Sequence, residues 1–256
     1  KIDNEGPAPN RQEESLAFIS PMAPVRIAML SGPRNISTTM MRSFENRDDC
    51  IVADEPFYAC YLRASDAHHP FREETLASQS SDWREVAGEL NARSGADFSF
   101  EKHISFHFTF ALDFDWLDSA RVFHLIRDPR AMVASYKNKL EDVSPIIDSY
   151  RIQRRLYEKN PAPVVDAADI LKAPEKTLRA LCAALGMPFS EKMLAWPSGP
   201  RDSDGAWAPH WYDAVNASTG FKPYEERKIK LSSDMEAIAR ACAVDYEFFS
   251  ARRLVA

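Results

Sequence analysis

The chain has 256 residues and a formal net charge of −6, from 32 Lys and Arg against 38 Asp and Glu. A hydrophobic fraction of 45% and a charged fraction of 27% are typical of a globular protein and exclude a disordered, collagenous or coiled-coil chain. The negative net charge argues against general electrostatic binding to nucleic acid or to an anionic membrane. No apolar run approaches the ~20 residues that span a bilayer and no secretory leader is recognisable, so we expect a cytoplasmic protein.

The chain divides into a predicted flexible tail, residues 1–23, and a single predicted domain, residues 24–256. The tail is polar at its start and carries prolines at positions 7 and 9, so it cannot bury an apolar face. The cysteines form neither a CxxC pair nor a zinc-finger spacing and are interpreted as free thiols: Cys50, Cys60, Cys182 and Cys242. His68 and His69 lie in a polar stretch and are interpreted as surface residues, with no metal site predicted.

Beyond the tail, strand patterns alternate with helix patterns. Short β-prone runs predict strands over 25–30, 50–57, 98–108, 121–129 and within 162–171. Helical spacing of apolar residues predicts helices over 37–47, 82–93, 130–140, 146–160, 173–188 and 232–253. This alternation predicts an α/β fold with a central, mainly parallel sheet flanked by helices. Ligands bind such sheets at the carboxyl ends of the strands, so we expect a site in the loops after residues 30, 54, 104 and 126.

The loop between the first strand and the first helix suits a phosphate. A helix start presents free N–H groups to anions, and Arg34 adds a cation with forked donors. Hydroxyl groups follow at Ser37, Thr38 and Thr39. The loop is not a Walker A sequence, because Ile36-Ser37 stand where Gly-Lys is required, and this disfavours an ordinary ATPase. The alternative is a capped turn with Arg34 in solvent.

A second phosphate candidate lies in HLIRDPRAMVASYK, residues 124–137. Arg127 stands at a strand end, and Ser135 follows about two turns into the next helix. A strand-end arginine and a helix serine can bind one phosphate together. The alternative is a surface pair between Arg127 and Asp128 with a neutral helix serine.

Together these segments resemble the sulfotransferase family, whose members use 3′-phosphoadenosine 5′-phosphosulfate (PAPS). Three further stretches are similar to the family's motifs: residues 164–190 to its strand–helix signature, residues 201–207 (RDSDGAW) to its late basic loop, and residues 99–105 (SFEKHIS) to its Lys-x-His strand. The resemblance covers about residues 25–224 in the family's order. It is nearer to a divergent bacterial-type branch than to the mammalian cytosolic enzymes.

The resemblance implies a P-loop-like fold and transfer of a sulfuryl group from PAPS to a hydroxyl or amine of a small acceptor, releasing PAP without a metal. The residues implied to hold the 5′-phosphosulfate are Arg34, Asn35, Ser37, Thr38 and Thr39. Arg127 and Ser135 are implied to hold the 3′-phosphate, and Arg201 and Gly205 to close over the nucleotide. A monomer or homodimer is expected, without nucleic acid or membrane as partner.

The sequence departs from the family pattern in three places. Arg34 stands where the family usually has a lysine, and an arginine cannot give its proton to a departing phosphate. Ala167 and Ala168 stand where an aromatic residue is usual, and Asp202 stands where a second basic residue is usual.

Sulfuryl transfer needs a general base, and three residues at predicted strand ends are candidates. Glu55 follows the second strand, where burial among aromatic neighbours would raise its pKa. His103 resembles the family's catalytic histidine, but it follows Lys102 directly, which turns its side chain to the opposite face of a strand. His107 lies four residues further on. We rank Glu55 first and His103 second.

Each of these residues also has a structural interpretation. Glu55 could cap the following turn or pair with Arg34, and the two histidines could be packed in the core. Lys102 could stabilise charge on the transferred group or neutralise Glu101.

A cluster of aromatic residues late in the sequence predicts the pocket for the acceptor. Residues 207–215 (WAPHWYDAV) could form a box for a planar or cationic acceptor, or could instead pack in the core beneath a lid. The acceptor-binding candidates are Tyr58, His107, Trp207 and Trp211. Two other functions stay open: an ATP-dependent P-loop kinase with Asp54 as metal ligand, and a nucleotide-binding module that has lost turnover.

Overall fold

A parallel five-stranded sheet forms the centre of the protein in a computed structural model that describes residues 23–110, 113–226 and 228–255. Its strands are β1 (Val25–Ser31), β2 (Cys50–Asp54), β3 (Phe98–Ile104), β4 (Arg121–Ile126) and β5 (Val164–Asp166). They lie in the order β2-β3-β1-β4-β5, and all neighbouring pairs are parallel. The predicted α/β class is therefore confirmed. Residues 1–22 of the predicted tail lie outside the described residues.

Helices connect the strands and cover both faces of the sheet. They are α1 (Ser37–Glu45), α2 (Tyr58–Ala64), α3 (Arg72–Ser78), α4 (Trp83–Ala92), α5 (Pro129–Lys137), α6 (Pro145–Lys159), α7 (Ala167–Lys172), α8 (Pro174–Ala184), α9 (Ala208–Trp211), α10 (Asp213–Asn216) and α11 (Ser233–Ser250). Short 3-10 turns occupy Ser105–Phe108, Asp115–Leu117 and Glu191–Leu194. Within the described ranges, no helix combines the length and the apolar character needed to cross a bilayer.

The central strand β1 is buried on both faces. Ile27 and Met29 pack in the core that α1 and α8 cover, whereas Ala28 and Leu30 pack in the core that α4 and α6 cover. Such two-sided burial is the usual state of a parallel sheet. Because β3 and β4 lie on opposite sides of β1, the loops after these strands diverge and leave a crevice at their carboxyl ends.

Three predicted strand boundaries are wrong, and each has a local cause. The second strand ends at Asp54 because Glu55 adopts a left-handed φ of 43°. The third ends at Ile104, where its partner β1 also ends, so residues 105–108 have no neighbouring strand and form a 3-10 turn. The fourth ends at Ile126, because Asp128 caps the start of α5 by accepting the Ala131 amide at 2.9 Å. The fifth strand lies within its predicted range and ends at Asp166, whose side chain accepts the Ala168 amide at 2.8 Å and starts α7.

Helices α2 and α3 were not predicted. Each has seven residues, too few for a stable isolated helix, so neighbouring contacts must stabilise them. In α2 the buried side chains include Tyr58, Cys60 and Leu62. Tyr58, the first residue of α2, lines the crevice. Sequence periodicity over so short a segment could not indicate the helix.

A buried ion pair joins β1 to β3 on the sheet face opposite Lys102. Arg26 donates to Glu101 through Nε at 2.6 Å and through a terminal nitrogen at 3.0 Å, and both residues are almost fully buried. His103 lies on the same face, with Nε2 3.2 Å from a Glu101 oxygen. Glu101 is therefore neutralised by Arg26, and Lys102 has other partners.

Replacing Arg26 with methionine should destabilise the fold, because it leaves the Glu101 carboxylate buried without its cation. We expect the free energy of unfolding to fall by about 3–5 kcal/mol, measured by urea denaturation. The control is Lys192→Met, which removes an exposed pair with Asp48 and should cost under about 1 kcal/mol. Equal losses for the two variants would contradict a stabilising role of the buried pair.

Candidate functional site

A cleft of about 990 Å³ opens over the carboxyl ends of the strands. This volume is large enough for a nucleotide-sized ligand and a small second molecule. We call one part the cationic end, lined by Arg34, Ser37, Thr38, Arg127 and Ser135, and the other the aromatic end, lined by Tyr58, His69, Phe106, Trp207, Trp211 and Tyr212. The cleft lies where the alternation of strands and helices predicts it.

At the cationic end, the start of α1 is left open toward the cleft. Ile36 is the N-cap residue, with a left-handed φ of 58° and no side-chain hydrogen bond to the first turn. Arg34 is also left-handed, with φ 60°. These conformations are unfavourable for residues other than glycine, and such strain concentrates at binding sites. The first-turn N–H groups lack a side-chain cap and are suited to bind an anion.

Three of the side chains predicted to bind phosphate groups are in contact at this end. Arg34 Nε donates to Ser135 Oγ at 3.2 Å, and a terminal nitrogen of Arg127 donates to the Arg34 carbonyl at 2.5 Å. Asp128 caps α5 instead, since its side chain accepts the Ala131 amide at 2.9 Å. Ser37, Thr38 and Thr39 also line the cleft, at the start of α1.

Three other nucleotide candidates are not brought into the cleft. The Asn35 amide is buried and donates to the Leu125 carbonyl at 2.9 Å, which ties the loop to β4. Arg201 donates to the Pro197 carbonyl at 2.6 Å. Gly205 supports packing, because a Cβ there would lie 2.1 Å from the Trp207 ring. Cationic side chains that do line the cleft and were not predicted are Arg130, Lys172, Lys222 and Arg253.

Between the two ends lies a buried charge network, which we call the Lys102 cluster: Asp54, Glu55, Lys102 and Tyr212. Lys102 Nζ lies 2.7 Å from an Asp54 oxygen, 2.8 Å from a Glu55 oxygen and 2.5 Å from the Tyr212 hydroxyl. The Tyr212 hydroxyl donates to the second Asp54 oxygen at 2.6 Å. The sequence suggested Glu101 as the partner of Lys102 and Arg34 as the partner of Glu55. The structure pairs Lys102 and Glu55 with each other.

The pKa values of Glu55 and Lys102 in this cluster are both displaced. Burial raises the pKa of Glu55 to about 7, and the neighbouring Asp54 adds to the rise while Lys102 opposes it. Burial disfavours the charged form of Lys102, but Asp54 and Glu55 together raise its pKa well above the ordinary value. A carboxyl that titrates near neutral pH beside a permanent ammonium suits proton transfer.

Neither histidine proposed as a base lines the cleft. His103 is buried on the opposite sheet face against Glu101, as the alternation of a strand requires. His107 lies in the 3-10 turn behind Tyr58, with the two rings stacked at 4.3 Å and 9°. Its Nδ1 is 3.9 Å from a Glu55 oxygen, too long for a hydrogen bond. Burial lowers the pKa of His107 well below its ordinary range, so the ring is neutral.

The aromatic end is built from segments far apart in the sequence. Tyr58 of α2 meets Trp207 edge to face at 4.9 Å, and Trp211 stacks on Tyr136 of α5 at 6.0 Å. Trp207 Nε1 donates to the Tyr212 hydroxyl at 3.2 Å, which joins this end to the Lys102 cluster. Tyr58, Trp207 and Trp211 thus line the cleft, and His107 supports it from behind.

His69 belongs to the aromatic end, and its interpretation as a surface residue is wrong. It is half-buried, lines the cleft and has Nδ1 2.7 Å from the Tyr58 hydroxyl. Its neighbour His68 is exposed, as predicted. The polar sequence around this pair carries no signal that separates the two. In the part of the chain that the structure describes, no three His, Cys, Asp or Glu side chains are grouped to hold a metal ion.

Comparison with solved structures finds the same fold. The sulfotransferase domain from the curacin biosynthetic pathway aligns with a TM-score of 0.53 and 14% identity over 88% of this chain and 99% of that one. The sulfotransferase from Alicyclobacillus acidocaldarius aligns with a TM-score of 0.55 and 11% identity over 91% of this chain and 98% of that one. At these identities the likeness is one of fold.

Comparison with other sequences gives the family. Branched-chain-amino-acid aminotransferase-like protein 2 of Arabidopsis thaliana is 35% identical over 200 residues, which are 75% of this chain and 35% of the plant protein. The chain thus spans about a third of the length of this relative. The family model of the sulfotransferase domain matches residues 25–252. Since that match covers nearly the whole chain, the protein belongs to the sulfotransferase domain family.

Proposed function

We propose that the protein transfers a sulfuryl group from PAPS to a hydroxyl or amine of a small acceptor and releases PAP. One observation carries the proposal: a single cleft joins the uncapped start of α1 to a buried carboxyl group whose pKa is raised to about 7. Family membership supports the reaction class. The donor and the role of each residue are our inference from the cleft.

The cationic end has the donor set that a nucleotide with two phosphate positions requires. The α1 amides, Arg34, Ser37 and Thr38 would hold the phosphosulfate. Arg127 and Ser135 would hold the 3′-phosphate, the group that distinguishes PAPS from ATP. Charge-assisted bonds from arginine to phosphate are short and directional. The bonds from Arg34 to Ser135 and from Arg127 to the Arg34 carbonyl hold the two arginines close together.

The proposed transfer places the proton on Glu55. PAPS supplies the sulfuryl group, and the phosphate to which that group is bound is the leaving group. As the acceptor oxygen or nitrogen bonds to sulfur, the bond from sulfur to the 5′-phosphate oxygen breaks, and that oxygen keeps the electron pair. Glu55 takes the acceptor proton, and Lys102, 2.8 Å from Glu55, stabilises the negative charge of the transferred group.

Replacing Arg127 with alanine should remove the discrimination between PAP and ADP. We expect calorimetric titration to show PAP affinity falling about 10- to 100-fold, the effect of losing one charge-assisted contact of about 1.5–3 kcal/mol. ADP, which lacks the 3′-phosphate, should bind with little change.

The control for this titration is Arg151→Ala on the exposed surface of α6, which should bind PAP as the wild type does. Equal PAP affinity in wild type and Arg127→Ala would refute the 3′-phosphate assignment. A preference of the wild type for ATP with magnesium would favour the kinase alternative.

Replacing Glu55 with glutamine should lower kcat by about 10²-fold or more while PAP binding stays near that of the wild type. In the wild type, kcat/KM should rise with pH through an apparent pKa of about 7 and then level, because only the ionised carboxylate accepts a proton. In Glu55→Gln this rise of kcat/KM with pH should be absent.

The matched control is Glu89→Gln on the exposed side of α4, which should keep both the rate and the profile. A Glu55→Gln enzyme with unchanged kcat and an unchanged acid limb would show that another group takes the proton.

A further inference from the structure

The half-buried His69 provides a polar group at the aromatic end of the cleft, and the proposed transfer does not use this group. It lies on the segment after α2, and its ring meets Tyr58 at 5.8 Å, Tyr61 at 5.8 Å and Phe106 edge to face at 6.1 Å. The side chain lines the same cleft as Glu55 and Lys102. It is thus an imidazole fixed among aromatic rings and open to a ligand.

The bond to Tyr58 favours one tautomer of the ring. The Tyr58 hydroxyl is buried and must place its proton on an acceptor, and His69 Nδ1 at 2.7 Å is in position to take it. Nδ1 is then the acceptor nitrogen, and Nε2 carries the ring proton. Burial, assisted by Arg72, lowers the pKa of His69 to about 4, so the ring is neutral at pH 7. His69 therefore presents one neutral N–H donor.

The rest of the aromatic end is uncharged. Its lining is formed by rings and apolar groups, namely Ile104, Phe106, Trp207, Trp211, Ala214 and Val215. Glu55 and Lys102, which also line the cleft, pair with each other at 2.8 Å. An ionic group bound among these rings would lose its hydration, which costs several kcal/mol unless a counterion pairs with it. The pocket consequently favours a flat, neutral molecule.

We infer that His69 is a specificity-determining residue: its Nε2–H donates to a neutral oxygen of a flat, uncharged acceptor, while the attacking hydroxyl lies at Glu55. The inference rests on the proposed sulfuryl transfer and names the acceptor class for the same site. Tyr58 links the two positions, because its hydroxyl binds His69 and its ring stacks on His107 beside Glu55. The acceptor therefore carries two oxygens, one that reacts and one that His69 binds.

Two phenols of the same shape test the inference. 4-Hydroxyacetophenone carries a ring carbonyl, and 4-isopropylphenol has a methyl group in place of that oxygen. We expect His69→Phe to lower kcat/KM for the ketone about 3- to 10-fold relative to the alkylphenol, the effect of losing one neutral hydrogen bond. Comparing the ratio of the two substrates between variant and wild type cancels their different intrinsic reactivities.

Two further variants separate a binding role from a structural one. His69→Gln keeps a neutral N–H donor and should restore most of the preference for the ketone. His68→Gln changes the exposed neighbour and should leave both substrates unaffected. An unchanged substrate ratio in His69→Phe would overturn the assignment, whether the two phenols keep their kcat/KM or lose it equally.

PAP titration of the same preparations distinguishes failure of the acceptor assignment from failure of the proposed function. If the wild type binds PAP but sulfonates neither phenol, the acceptor class is wrong and the donor assignment stands. If the wild type does not bind PAP, the proposed function fails and this inference fails with it. PAP binding by each His69 variant at wild-type affinity verifies that the variant is folded.

Discussion

The pairing of the buried Lys102 with Asp54 and Glu55 is the interaction on which the site depends. An ammonium group removed from water costs several kcal/mol unless its charge is compensated, and the carboxylates of Asp54 and Glu55 provide that compensation. Asp54 lies opposite Lys102 in the parallel register of β2 and β3, and the Glu55 amide donates to the Lys102 carbonyl at 2.9 Å. The register of two strands therefore determines where the reactive groups stand. Tyr212, from a segment far later in the chain, completes the cluster and fastens the aromatic end to the same strand ends.

Backbone strain is concentrated at the same place. Arg34, Ile36 and Glu55 all line the cleft, and all have positive φ, a conformation that costs about 1–3 kcal/mol for such residues. The surrounding bonds maintain it: Asn35 is held on β4 through Leu125, and Arg34 is held through its carbonyl. The open start of α1 is consequently formed by the fold itself. Because the site is preformed, ligand binding costs little free energy for ordering the protein.

The parts of this structure that the sequence predicts are those governed by local patterns. Strand and helix periodicity is local, and it placed the loop after β1 and the end of β4 at one sheet edge, where Arg34, Arg127 and Ser135 meet. Features that depend on distant contacts were not predictable. The end of β3 depends on where β1 ends, and that boundary turns His107 out of the strand pattern. The partners of Lys102 and the burial of His69 depend on α2 and on residues 204–212, which no local pattern links to β3.

The pKa values of Glu55 and Lys102 are both raised, which favours the neutral form of the carboxyl and the charged form of the ammonium. Both groups are buried, and burial alone would favour the neutral form of each. Lys102 has two carboxylate neighbours, so its charge is over-compensated and its pKa rises. Glu55 has one cation, which Asp54 also engages, so desolvation prevails and its pKa rises to about 7. Groups whose environments act on them so differently serve as proton acceptor and as fixed charge. Glu55 can therefore exchange a proton near neutral pH while Lys102 stays charged, and neither assignment requires His103 or His107.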